Sequence, residues 1–354
     1  MSDLFSSDDG RNLLEDLVSR ARRAGADAAD AVLFEGRSEH ISWRLGKLED
    51  TERSENQDLG LRVLIGKRQA IVSSTDLSPA TLDILVERAI DMVRVAPEDP
   101  WCGLADPAEL ASGALPDLDL FDPTEVTGDM LREQARAAEE AALAVEGVTN
   151  SEGAGASWSA SRFTLVTSTG FSGSYRTSSQ GVSVSVLAGS GTNMERDYDF
   201  SSARHREDLE SAELVGRRAA ERAVRRLNPR KPRTARVPVV FDPRVSRSLI
   251  GHLAGAINGQ SIARGTSFLK DRMGTAVFPA GVTVTDDPLR RRGLSSRPFD
   301  SEGVATRPLD FIADGVLTSW VLDSASARQL GLRTTGHARR GTSGPPGPGI
   351  SNLY

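Results

Sequence analysis

The chain has 354 residues, 38% of them hydrophobic and 26% charged, the composition of an ordinary globular protein with one large domain or two smaller ones. Its 43 basic and 49 acidic residues give a net charge of −6, so nucleic acid is not expected as a main partner. The single cysteine excludes an intrachain disulfide, and no apolar run approaches the roughly 18 residues of a membrane span. Because the first residues, MSDLFSSDDGRN, are polar and acidic, we expect a cytoplasmic protein without a membrane partner.

The N-terminal part, residues 1–232, has an order of predicted elements that occurs twice, as helix, strands and helix. The first unit covers about residues 8–96 and the second about 127–228, and a connection rich in proline, aspartate and glycine at 96–126 joins them. The predicted helices are 11–24, 79–95, 128–145 and 207–227. The predicted strands are 28–35, 40–48, 59–65, 69–74, 148–159, 162–167, 171–177, 181–187 and 194–200.

Local end signals support several of these helices. Asp8 or Asp9 can cap the first helix, and Ser78 followed by Pro79 is typical of a helix start. A short helix at 324–330 is expected to end at Gly331, because glycine adopts the left-handed conformation that terminates helices.

A second domain is predicted for residues 233–354, after a polar linker. A strand at 237–241 is expected to lead into a helix, and Asp314 with Gly315 predicts a hairpin between two strands. Further strands are predicted at 277–278, 282–285, 308–313 and 316–322. The fold class is therefore α+β, with a duplicated helix–strands–helix unit and a mainly antiparallel β C-terminal domain that is entered by one helix.

The helix predicted within 242–260 has two unusual features. Gly251, Gly255 and Gly259 recur every four residues, at a cost of roughly 3 kcal/mol against alanine, so we expect them to pack closely at the domain core or at a subunit interface. The stretch also holds one histidine, His252, and no acidic residue after its cap, so it cannot form a zinc helix, which needs two ligands about one turn apart and an acid. Its predicted apolar side consists of Val245, Leu249, Leu253 and Ala256.

Four side chains carry competing interpretations. His252 is either a substrate or partner contact or an ordinary surface histidine. His337 follows a helix in a loop, where ligand contacts are common, but it can equally be structural. Asp300 and Glu302 could form an acid pair for hydrolysis, whereas the neighbouring proline and glycine favour a turn in which Asp300 holds the loop by side-chain hydrogen bonds.

Three stretches closely resemble the PmbA (TldE) branch of the TldD/PmbA family. They are GLSSRPFDSEGVATRPLDFIADGVLTSWVLDSASARQLGLRTTGHA at 293–338, GLRVLIGKRQAIVSSTDLS at 60–78 and RGTSFL at 264–269. The resemblance implies a cytoplasmic protease complex that acts on small or unfolded peptides, in a family historically called modulators of DNA gyrase. It also implies a division of labour, because TldD-type subunits carry a zinc helix with H-E-x-x-x-H, whereas PmbA-type subunits lack it and pair with TldD.

The zinc motif can be placed on this chain by anchoring the resemblance at 264–267. Its positions then fall at about Ile250, Gly251 and Gly255, and His252 is not in register to replace a ligand. The resemblance therefore implies a non-catalytic subunit that binds no cofactor itself, pairs with a zinc-bearing TldD-like subunit and presents peptide in extended form. Alternatives are a peptide-binding protein without proteolytic role and a metallopeptidase in its own right. The expected contacts to substrate or partner are Gly251, His252, Gly255, Gly259, Arg264, Thr266, Ser267, Asp300, Glu302 and His337.

Two departures from the family are visible in the sequence. Family members run on well past the point that matches Tyr354, so the C-terminal domain is expected to be incomplete relative to the family, either as a partial chain or as a truncated homologue. In addition, Arg339 and Arg340 follow His337 where small residues would be expected.

Overall fold

The computed structural model describes residues 9–354, and its largest element is a six-stranded antiparallel sheet. The strands are β1 (Ala28–Arg44), β2 (Lys47–Ile65), β3 (Arg68–Ser74), β4 (Val148–Thr167), β5 (Ser172–Ala188) and β6 (Glu195–Ala203). Their order across the sheet is β3-β2-β1-β4-β5-β6, and every neighbouring pair is antiparallel.

Two pairs of helices cover the sheet. They are α1 (Asp9–Arg23), α2 (Pro79–Val95), α3 (Gly128–Leu143) and α4 (Ala212–Arg225). The first pair packs its apolar side on β1 to β3, and the second pair packs on the far half of the sheet around β4 and β5, so two apolar cores form. The predicted duplication of helix, strands and helix is confirmed, and β1 joins β4 where the two units meet.

The strands are longer than predicted. Residues 28–35 and 40–44, predicted to lie in separate strands, form the single strand β1, and such merging happens twice more in β4 and β5. The predicted strand 40–48 is interrupted by a turn at 45–46, after which β2 begins. Between the two segments predicted within β1, Gly36 pairs with Asn56 of β2 on one side and with Ser161 of β4 on the other. Backbone pairing on both sides therefore keeps the strand regular where the side chains no longer alternate.

Helix ends follow the local signals in most cases. Ser78 and Pro79 open α2 as predicted. The last N-terminal helix begins later than predicted, at the residue after Ser211, whose hydroxyl accepts the backbone N–H of Leu214. Asp9 lies within α1 itself, and the alternative cap Asp8 lies outside the described residues.

The C-terminal part combines short helices and short antiparallel strands. Its helices are α5 (Pro243–Ala256), α6 (Gly259–Ala263) and α7 (Ser324–Leu330), and its strands are β7 (Val284–Asp286), β8 (Leu309–Ala313), β9 (Val316–Leu317), β10 (Ala338–Arg339) and β11 (Gly347–Pro348). The strands form a three-stranded sheet β7-β8-β9 and a separate pair β10-β11. The hairpin at Asp314 and Gly315 is confirmed, with φ of 48° and 81°, and α7 ends at Gly331 in the left-handed conformation.

Four predictions for this part are wrong. The segment 237–241 is not a strand, because its backbone has no pairing partner within residues 9–354 and its valines are exposed. No strand forms at 277–278, and the strand predicted at 316–322 stops after two residues. The helix predicted to continue to Gln260 ends at Ala256, after which Asn258 caps a separate short helix.

The connection at 96–126 binds the C-terminal part to the sheet. The backbone N–H of Ala111 donates to the carbonyl of Gly303 at 2.8 Å, and Ala305 donates to Glu109 at 3.1 Å. Beside these contacts Phe299 is fully buried in a small apolar cluster on the sheet. The loop around residue 300 is therefore held against the sheet. None of the helices in the described range is long and apolar enough to cross a bilayer.

Candidate functional site

Helix α5 is only half buried. Its cap is the predicted one, since the Asp242 carboxylate accepts the backbone N–H of Arg244 at 2.9 Å. Of the predicted apolar side, Leu253 is buried, whereas Val245 and Leu249 are 52% and 49% exposed. The N-terminal half of this helix therefore presents an uncovered apolar face.

The three glycines do not form one packed stripe. An added Cβ at Gly251 or Gly255 would meet no atom of residues 9–354 within 4 Å, and both glycines are exposed. At Gly259 the same atom would come within 2.6 Å of Leu322 and 2.8 Å of the Val321 carbonyl. The prediction of close packing in the domain core is thus correct for Gly259 and wrong for Gly251 and Gly255. Contact of the latter two with another chain stays a prediction.

The contrast between these glycines gives a testable pair. We expect Gly255→Ala to stabilise the chain by up to about 1 kcal/mol, because alanine is the better helix former and the space is open. Gly259→Ala should destabilise it, because the new methyl group meets a backbone carbonyl. Urea denaturation of both variants tests this, and equal shifts of the two midpoints would contradict the placement.

The residues at the expected zinc positions do not fit a catalytic zinc. Ile250, Gly251 and Gly255 have no side-chain atom that can bind a metal, and His252 is exposed on the same helix. Across residues 9–354, no group of three or more His, Cys, Asp or Glu side chains is arranged to hold a metal ion. A catalytic zinc needs three protein ligands and an open position, and the side chains at these positions do not supply them.

The stretch after α6 mixes exposed and structural residues. Arg264 and Thr266 are exposed. Ser267 is buried, donates its hydroxyl to the Ala256 carbonyl at 2.5 Å and accepts the N–H of Leu269 at 3.0 Å. Ser267 therefore holds the loop against the end of α5, while Arg264 and Thr266 remain accessible for contacts.

Asp300 organises a buried turn. One carboxylate oxygen accepts the N–H groups of Glu302 at 2.9 Å and Val304 at 3.0 Å, and the other accepts that of Ala338 at 3.0 Å. Gly303 completes the turn with φ of 83°. The prediction that Asp300 holds a loop by side-chain hydrogen bonds is confirmed.

Glu302 lies beside this turn and is also buried. It accepts the backbone N–H of Ser324 at 2.8 Å. Burial and the charge of Asp300 raise the pKa of Glu302 to about 7. Because both carboxylates are buried and bound by backbone donors, the turn interpretation is favoured over an acid pair that acts on substrate.

His337 is buried with both ring nitrogens occupied. Nδ1 lies 2.8 Å from the Thr335 carbonyl oxygen, and Nε2 lies 3.0 Å from a carboxylate oxygen of Asp286. Burial alone would raise the pKa of Asp286, but hydrogen bonds from His337 and Ser351 outweigh it and hold that pKa below its ordinary value. Neither nitrogen of His337 is left for a ligand, so its role here is structural.

A buried ion-pair cluster that the sequence analysis missed connects the two parts of the chain. Asp30 in β1 binds Arg62 in β2, with a distance of 2.9 Å from Nε, and also binds Arg340 from the C-terminal part. Burial alone would raise the pKa of Asp30, but the charges of Arg340 and Arg62 hold it below its ordinary value. A charged residue inside each of the apolar runs AADAVLF and LGLRVLI was the available signal, since such residues are almost never buried unless paired.

The comparisons with known proteins agree with this architecture. Three metallopeptidase domain families of the PmbA/TldA type match in succession: domain 1 at residues 29–93, the central domain at 121–227 and the C-terminal domain at 234–354. The protein therefore has the domain composition of a PmbA/TldA-type metallopeptidase. The chain belongs to the PmbA/TldD family, and the resemblance inferred from the sequence is confirmed.

Individual relatives give the extent of the similarity. The chain is 40% identical over 332 residues to Metalloprotease PmbA of Escherichia coli O157:H7, covering 93% of this chain and 74% of that protein. It is 36% identical over 323 residues to a Metalloprotease PmbA homolog of Haemophilus influenzae, covering 91% and 71%.

Solved structures share the fold. A putative modulator of DNA gyrase from Bacteroides thetaiotaomicron superposes with a TM-score of 0.88 at 25% identity, covering 95% of this chain and 76% of that one. TldE from Thermococcus kodakarensis has a TM-score of 0.84 at 20% identity, covering 96% and 77%, and supports the fold alone.

Proposed function

We propose that this chain is the non-catalytic, PmbA/TldE-like subunit of a cytoplasmic zinc peptidase complex that acts on small or unfolded peptides. The observation that carries the proposal is helix α5, where Ile250, Gly251 and Gly255 stand at the expected positions of the zinc motif. None of them has a side chain that can bind a metal or act as a base. The chain itself then binds no cofactor, and the zinc belongs to a TldD-like partner in a heterodimer or higher assembly.

The exposed face of α5 supports a partner at this place. Val245 and Leu249 lie one turn apart and so share one side of the helix. The segment that leads into the helix exposes further apolar side chains, with Val240 at 96%. Clustered apolar exposure of this kind is typical of a surface that another chain covers.

A free strand edge supports the presentation of extended peptide. Residues 59–65 of β2 pair with both neighbours, whereas residues 47–58 pair only with β1 within the part of the chain that the structure describes. An extended peptide can add to such an edge through main-chain hydrogen bonds. The edge carries many charged side chains, such as Asp50, Glu52 and Arg53, which discourage pairing with another copy of the same strand.

The proposal predicts a division of zinc and activity between two proteins. This chain alone should contain no stoichiometric zinc and should not cleave casein or short peptides. Mixed with a TldD-like subunit it should give chelator-sensitive cleavage well above that of the subunit alone. Metal analysis by mass spectrometry and a fluorescent peptide assay measure both quantities.

A matched pair of variants locates the contact. Leu249→Asp should abolish co-elution with the TldD-like subunit, because it places a charge in the apolar face, whereas Ile84→Asp on the equally exposed surface of α2 should leave it intact.

Stoichiometric zinc and cleavage by the chain alone would instead establish a metallopeptidase in its own right. Peptide binding without any effect on cleavage in the mixture would establish a separate binding protein.

A further inference from the structure

A cavity of about 240 Å³ lies between the central sheet and the C-terminal part and is lined by cations. Among residues 9–354, its lining includes no aspartate and no glutamate, in a protein whose net charge is −6. Phe163 and Tyr175 form an aromatic wall, and serines complete the surface. The arginines in the lining are Arg162, Arg204, Arg297, Arg339 and Arg340.

Two of these arginines are positioned by carbonyl groups instead of carboxylates. Arg297 is 5% exposed and donates to the carbonyls of Ala338 at 3.2 Å and Gly349 at 3.1 Å, while its Nε has no partner within residues 9–354. Arg204 donates to the Ser178 carbonyl at 2.8 Å. Carbonyl oxygens orient a guanidinium group but do not neutralise its charge. The carboxylate of the nearby Asp300 attracts Arg297 electrostatically but is not hydrogen-bonded to it, because its oxygens accept backbone N–H groups.

Arg339 has no counter-ion in the described range. Its side chain forms no hydrogen bond and no ion pair with residues 9–354, whereas the adjacent Arg340 is bound to Asp30. Arg339 as a residue is exposed to solvent. The protein packed around its guanidinium group and the neighbouring charge of Arg297 nevertheless lower its pKa to about 10, which still leaves it charged at neutral pH. Repulsion between two cations is costly and is relieved when an anion binds between them.

The cavity also offers a hydrogen-bond donor. Burial raises the pKa of the Tyr175 phenol, so the group stays protonated. Its hydroxyl makes no hydrogen bond within the described chain, and its ring packs 5.3 Å from Phe299 and 5.5 Å from Phe163. A rigid aromatic wall beside converging guanidinium groups suits an anion that is attached to an apolar group.

We propose that this cavity binds the carboxylate of a peptide, held by the guanidinium groups of Arg297 and Arg339 against the wall formed by Phe163 and Tyr175. Planar guanidinium groups match the two oxygens of a carboxylate. The cavity is smaller than a typical site for a whole ligand, so it suits one terminus or one side chain. The choice of a peptide rests on the proposed function, and the carboxylate can come from the C-terminus or from an acidic side chain.

Three labelled peptides of one apolar sequence separate these sources. The first has a free C-terminal carboxylate, the second a C-terminal amide, and the third an amide with one internal glutamate. Binding to the purified chain is measured by fluorescence anisotropy. We expect the amide peptide to bind at least about tenfold more weakly than the better of the other two, because it lacks the charge-assisted hydrogen bonds.

Variants connect the binding to the cavity. Arg339→Ala should weaken binding of the carboxylate peptide about tenfold or more, and Arg339→Lys should restore part of it. The matched control is Arg307→Ala, which removes an exposed arginine that also lacks a partner within residues 9–354 and should leave the affinity unchanged. Since Arg339 has no structural hydrogen bond, the variant is expected to keep the wild-type unfolding midpoint.

The outcomes distinguish this inference from the proposed function. Equal binding of the amide peptide, equal loss in both alanine variants, or no binding of any peptide would overturn the carboxylate site. Because the assay uses the chain alone, a complex that cleaves peptides while this chain binds none would leave the subunit role standing. Carboxylate-dependent binding to the chain, without cleavage in the mixture, would leave the carboxylate site standing and contradict the subunit role.

Discussion

Replacing Asp30 with alanine is expected to destabilise the fold by about 3–5 kcal/mol, because the change leaves two buried cations without their shared counter-ion. Asp30 is 1% exposed, and the side chains of Arg62 and Arg340 that bind it are buried as well. Since Arg340 comes from the C-terminal part and the other two from the sheet, the variant should also loosen the contact between these parts. Urea denaturation, monitored by tryptophan fluorescence, gives the free energy of unfolding.

The control for this prediction is an ion pair at the surface. Asp83 lies 2.7 Å from Arg20 with 69% of its side chain exposed. Asp83→Ala should cost less than about 1 kcal/mol, because solvent screens the pair. A cost for Asp30→Ala no larger than that of Asp83→Ala would contradict the importance of the buried cluster.

The second large effect concerns the pH dependence of stability through Glu302. Its pKa is about 7 in the folded chain, against 4.5 for an ordinary glutamate, so the folded state binds this proton more tightly. The resulting contribution to stability is fully present below about pH 4.5 and is lost as pH rises through 7. Glutamine resembles the protonated acid at every pH, so Glu302→Gln should be more stable than the wild type at pH 8, by roughly 3 kcal/mol.

Measured between pH 5 and pH 8, the wild-type free energy of unfolding should therefore fall more steeply than that of Glu302→Gln. Glu98→Gln at the exposed surface controls for the loss of one charge. Asp30 and Asp286, whose pKa values are lowered, act in the opposite sense and only at more acid pH, where their stabilisation is lost. Parallel pH profiles for the wild type and Glu302→Gln would contradict this role of Glu302.

Helix starts, turns and the repeated order of elements could be predicted because short-range chemistry determines them. Ser78 with Pro79 opens α2, Asp314 with Gly315 forms the hairpin, and Gly331 ends α7. Each depends on backbone preferences of one to three residues. Strand length was underestimated for the opposite reason, since the middle of β1 is held by neighbours that lie far away in the sequence.

The candidate site was predicted less completely. The absence of zinc ligands in α5 is a property of residue types and was visible at once. The role of Asp300 also followed from its neighbours in the chain. The buried cluster of Asp30, Arg62 and Arg340, and the cavity around Arg339, join residues up to 310 positions apart, and no local pattern connects them.

The sequence alone determined the α+β class, the duplicated unit, the helix without metal ligands and the family. It did so because residue periodicity, turn chemistry and side-chain type are properties of short stretches. Only the tertiary structure decided that Gly259 is packed while Gly251 and Gly255 are open, that His337 is buried against Asp286, and that several arginines converge on one cavity. Burial and the pairing of charges depend on which distant segments meet, and that is a result of the whole fold.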